Sequence, residues 1–156
     1  MRLLKIRNAA VGLGILLILY AQSVAAQDKC SLTATMAIYS NAFIHNETGD
    51  LLGYELALQR HNDSKVDAWL YVYEGAEDDE SIHLTGQISQ RHLSVQGNWT
   101  EHLVQYNPKK EIVQTHFVKI QGVLLSKSFT GEMTIEDIDN GRIKLKRVKA
   151  LWFCKK

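Results

Sequence analysis

The sequence predicts an all-β protein, an eight-stranded up-and-down antiparallel barrel, with a β-sandwich as the alternative arrangement. Three observations predict it. Apolar residues recur at period two through most of the chain after Gln27. The strand-like segments number eight, and with an even count the first and last run antiparallel where a barrel closes. The two cysteines, Cys30 and Cys154, stand at the start of the first segment and the end of the last, where a closing seam brings them together.

The chain has 156 residues, with 18 Lys and Arg against 17 Asp and Glu. An apolar share of 46% and a charged share of 22% are those of an ordinary globular domain. The length accommodates one. Without a basic excess, nucleic-acid binding driven by counterion release is disfavoured.

Residues 1–26 read as a signal peptide. Arg2, Lys5 and Arg7 precede an uncharged, mostly apolar run from Ala9 to Ala21, and Ser23, Val24, Ala25 and Ala26 follow as a small-residue cleavage site. The apolar run falls short of the roughly 20 residues that a membrane-spanning helix needs. Cleavage after Ala26 leaves residues 27–156 as one domain with 15 basic and 17 acidic residues. A secreted or periplasmic protein without a membrane span is expected. In that compartment the default for Cys30 and Cys154 is one disulfide. A loop of this length is worth about 4–5 kcal/mol in the chain-entropy account.

Strands are expected over about 31–39, 51–60, 66–75, 81–89, 92–99, 112–125, 128–136 and 142–153. In the first, Leu32, Ala34, Met36 and Ile38 form one face, taken as the inner one. In the second, Tyr54, Leu56 and Leu58 do so. The third is apolar on both faces. With Ala68, Leu70 and Val72 inward, Trp69, Tyr71 and Tyr73 form an outward aromatic stripe across Gly53 and Ala57 of the strand before. A turn at Gln90–Arg91 sets Ile88 opposite Leu93 and Gly86 opposite Val95. A turn at Ser126–Lys127 sets Leu124 opposite Phe129, Gly122 opposite Gly131 and Ile120 opposite Met133. Apolar then meets apolar throughout, as a one-sided core requires. In the last segment Ile143 and Leu145 give way to Val148, Ala150 and Trp152, a parity change that suggests a bulge near Lys146–Arg147. Residues 100–111 read as a long loop or a short helix, since Pro108 argues against a strand there.

The strand meander with closing termini resembles the calycin architecture of lipocalins and avidins. Cys30-Ser31-Leu32-Thr33 and Phe129-Thr130-Gly131 are similar to stretches of avidin. The first strand lacks tryptophan, so no biotin site is carried over, and the lipocalin G-x-W is missing. The resemblance implies a fold and no particular ligand.

Two binding surfaces follow from this layout. Met36, Tyr54, Trp99, Phe129 and Met133 would line a barrel cavity for a small, mostly apolar molecule, with Gly86, Gly97, Gly122 and Gly131 leaving volume. Trp69, Tyr71 and Tyr73 would form an outer contact surface for an extracytoplasmic protein or a second copy. The six histidines show no metal-ligand spacing, and no nucleophile motif is present, so neither a metal nor a cofactor nor a catalytic set is assigned. The reading is a non-enzymatic exported binding module. The alternative is an inhibitor or immunity-type protein that blocks an extracytoplasmic enzyme with the loop at 40–50 or 100–111. A filled barrel favours that alternative over a carrier.

Overall fold

The computed structural model describes residues 30, 36–61, 64–75, 81–106 and 109–154. The expected signal peptide, its cleavage site and residues 31–35 of the first expected strand lie outside the described residues. The strands are β1 (Ala37–Ser40), β2 (Phe43–Ile44), β3 (Leu51–Arg60), β4 (Lys65–Gly75) and β5 (Ile82–Ser89). They continue as β6 (His92–Tyr106), β7 (Lys109–Leu124), β8 (Ser128–Ile135) and β9 (Asp139–Val148). The sheet order is β1-β9-β8-β7-β6-β5-β4-β3-β2, and β1 also pairs with β3. That second pairing closes eight antiparallel strands into a barrel and leaves β2 as a short extra strand on β3. Closure removes the edges that an open sheet would expose.

The expected hairpin registers are present. Ile88 pairs with Leu93 and Gly86 with Val95. Leu124 pairs with Phe129, Gly122 with Gly131, and Ile120 with Met133. Gln90 takes φ 56°, the left-handed conformation that a two-residue hairpin turn demands even of a non-glycine residue.

The barrel has a core on each side of part of its wall. The inner one includes Leu56, Leu58, Leu70, Leu84, Val95, Ile120, Phe129, Met133 and Leu145. The outer one comprises Ile38, Leu51, Ala57, Tyr71, Tyr73 and Leu151, with Met36, Trp69, Val148, Trp152 and Cys154 packed against it. The chain beyond β9 builds this second core. It turns through a short 3-10 segment, Trp152–Cys154, as a strap over the outside of the wall. The Cys30–Cys154 disulfide fastens it, with Cα atoms 5.6 Å apart.

Three expectations are corrected. The first strand has the opposite phase: Ala37 and Tyr39 face the inner core, while Met36 and Ile38 pack in the outer one. No bulge interrupts Lys146–Arg147, because Lys146, Arg147 and Val148 pair one-for-one with Ser40, Tyr39 and Ile38. Both errors share a cause. Under the strap the outer face is itself apolar, so Val148 changes core without the chain changing parity. Finally, residues 100–111 are largely strand, since the β6–β7 ladder runs to Tyr106 opposite Lys109. Pro108 itself lies outside the described residues.

Strand alternation sorts the connections into two ends. The β1–β3, β4–β5, β6–β7 and β8–β9 connections lie at one end. The β3–β4, β5–β6 and β7–β8 connections lie at the other, with the entry to β1 and the exit from β9.

Candidate functional site

The barrel interior is packed with the protein's own side chains. Phe129 and Met133 are fully buried in it, and Tyr54 and Trp99 lie half-buried against it. Met36, the fifth residue expected there, sits on the opposite side of the wall. The glycines do not leave volume. A Cβ on Gly131 would lie 2.7 Å from the Phe129 ring, and one on Gly122 would lie 2.9 Å from it. The ring therefore occupies the space that two absent side chains release. Gly86 and Gly97 bring neighbouring strand backbones equally close. A hollow of about 450 Å³ beside His92, Ser94, Gln121 and Glu132 is open to solvent on the wall. Another of about 260 Å³ lies at the β8–β9 turn.

The aromatic stripe lies on the outer side of β4, and there the strap covers it. Tyr71 is 4% exposed and Tyr73 2%, so neither is a free contact surface. Trp69 is half-buried and stacks at a tilt on His83, centroids 5.3 Å apart. Beneath the strap lies Glu55, fully buried. Its Oε2 accepts hydrogen bonds from the Tyr73 hydroxyl at 2.9 Å and the Trp152 amide at 2.7 Å. Sequence reading missed this carboxylate. The available signal was an acid flanked on its own face by Gly53 and Ala57, beside three outward aromatics.

Among the described residues no His, Cys, Asp or Glu side chains group as metal ligands. Asp67 bridges His61 at 2.7 Å and His83 at 3.4 Å on the surface.

The longest two-stranded ladder is that of the β6–β7 hairpin. Its ladder runs from His92–Val123 to Tyr106–Lys109. The pairing of β5 with β6 ends at Gln96, and that of β8 with β7 begins at Val118. From Asn98–Phe117 outward the two strands therefore make ladder pairs only with each other among the described residues, an arm of about 30 Å at the usual strand rise. His116 holds its root. The imidazole stacks at a tilt against Trp99, Nδ1 lies 3.0 Å from the Glu136 carbonyl oxygen, and Nε2 lies 3.6 Å from a Glu101 carboxylate oxygen. The Glu136 amide also donates to the Phe117 carbonyl at 2.9 Å, joining the arm to the β8–β9 turn.

Around this root the barrel end is both apolar and acidic. Phe43 and Ile44 of β2, Val113 and Phe117 of the arm, and Ile138 of the β8–β9 turn are exposed. Glu47, Asp50, Glu74, Glu136 and Asp137 lie in or beside the same connections. Comparison with known proteins finds no matching family model, curated protein or solved structure.

Proposed function

We propose that this protein is an exported binding module of inhibitor type, which contacts a basic extracytoplasmic enzyme through the β6–β7 arm and the end of the barrel around it. One observation carries the reading. Of the six large hydrophobic side chains exposed among the described residues, Phe43, Ile44, Val113, Phe117 and Ile138 belong to this end. Scattered exposed apolar residues are ordinary on a soluble protein, whereas their collection at one pole marks a contact site. The acids among them select a cationic partner and steer its approach. The packed interior supports the same reading, since a carrier needs a cavity that Phe129 and its neighbours occupy. The disulfide is compatible with the oxidising compartment in which such a partner acts.

The test is titration of the exported protein against a panel of basic secreted hydrolases. Stoichiometric inhibition of one of them is expected, weakening with salt. Replacing Phe43, Val113 and Phe117 by Ser should abolish it without unfolding the barrel. Full inhibition by that triple variant overturns the assignment of the surface. A small apolar molecule retained by the exported protein in native mass spectrometry would favour the carrier instead.

A further inference from the structure

The pole opposite the arm has the opposite charge. Arg60 and Lys65 flank the β3–β4 connection, Arg91 sits in the β5–β6 turn and Lys127 in the β7–β8 turn. Arg147 and Lys149 stand where β9 gives way to the strap. All six are exposed. None of them forms an ion pair among the described residues; Arg147 alone has a partner, the face of Tyr39 at 5.5 Å. The acid nearby among the described residues is Asp67, already engaged by His61 and His83. Acids dominate the arm end instead. Apart from Lys109 and Lys110 at the start of β7, the charges in and beside the described connections thus divide between the two ends of the barrel, basic at one and acidic at the other.

We propose that the basic pole seats the protein on the anionic phospholipid surface of a bilayer, with the arm held away from it. The cations come from successive connections around one rim rather than from a single groove. Such a ring matches a plane of headgroups and does not match the rod of a nucleic-acid duplex. Leu125, exposed beside Lys127 at the tip of the β7–β8 turn, is the one large apolar side chain exposed at this pole among the described residues. A single apolar tip within a basic ring suits insertion at the headgroup boundary. Each Lys or Arg near such a surface contributes attraction that fades within a Debye length. The inference does not rest on the identity of the arm's partner.

Sedimentation with vesicles tests it. The full-length gene is expressed with export, and the disulfide-bonded product is compared with a variant carrying Lys65→Gln, Arg91→Gln, Lys127→Gln and Lys149→Gln. Both proteins share one N-terminus, so any contribution from it cancels. Partition onto vesicles of phosphatidylglycerol mixed with phosphatidylcholine should fall by roughly two to three orders of magnitude in the variant. It should also vanish for the unsubstituted protein at about 1 M salt, where screening reaches about 3 Å. A matched melting temperature excludes unfolding as the cause. Equal partition onto phosphatidylcholine alone overturns the proposal, as does an unchanged variant. Salt-sensitive head-to-tail oligomers without vesicle binding also overturn it, because the basic pole then fits the acidic pole of a second copy. Loss of vesicle binding with enzyme inhibition intact, or the reverse, separates this inference from the proposed function.

Discussion

Glu55 and Trp152, 97 residues apart in the chain, are joined by a hydrogen bond in which the Trp152 amide donates to the Glu55 carboxylate at 2.7 Å. The same oxygen accepts the Tyr73 hydroxyl. One buried side chain on β3 thus ties the strap to the wall that it covers. A buried carboxylate is costly unless hydrogen-bonded, and both donors serve Oε2, while Oε1 is buried without a hydrogen-bond partner among the described residues.

Replacing Glu55 by Ala should therefore destabilise the protein by about 2–4 kcal/mol, from two lost hydrogen bonds and a small cavity. The loss should be local as well as global. Amide exchange at Leu151 and Trp152 should accelerate more than at Ile120 or Met133. Urea unfolding with residue-resolved exchange measures both, and a stability change under about 0.5 kcal/mol would show that the carboxylate is not the tie.

Changing Tyr71 and Tyr73 together to Ser should remove outer-core packing. Truncating a buried aromatic costs about 3–5 kcal/mol, so the double variant should be severely destabilised or unfolded at room temperature. Its oligomeric mass, where it folds, should equal that of the unsubstituted protein. A nearly unchanged melting temperature would mean that the strap does not cover these rings in solution.

The Gly131→Ala substitution should cost about 1–3 kcal/mol, since the new methyl meets the Phe129 ring and the backbone of β7. Pairing it with Phe129→Leu should recover part of that loss. The double-mutant cycle reads the coupling directly. Additive losses would place the strain wholly on the opposing backbone.

The barrel was legible in the sequence because most strands obey one rule, apolar inward and polar outward. Ile88–Leu93 and Leu124–Phe129 could be paired on paper from that alternation alone. Where the rule fails, the reading fails with it. Met36, Ile38 and Val148 are apolar and face outward, and nothing within their own segments reveals that a strap covers them. Tyr71 and Tyr73 stand on the outer wall that alternation predicts, but an outward ring reads as exposed until the chain that caps it is known. The arm was hidden differently. Its residues between Asn98 and Phe117 mix charged, polar and apolar types at both parities of the alternation, and Pro108 looks like a strand breaker. The exposed apolar residues Phe43, Val113 and Ile138 share one end of the barrel, a placement that only the topology sets.

The seam disulfide also decides where mechanical load goes. Tension on the flanking chain enters at Cys30 and leaves at Cys154, and the covalent bridge between them spans a separation of 124 residues. A pull from either side is carried by sulfur, and the strand ladders lie slack within the closed loop. Held by its ends under oxidising conditions, the domain behaves as a knot in a string, short and inextensible. Once reduced, it can lengthen by unravelling from β1 and the strap inward.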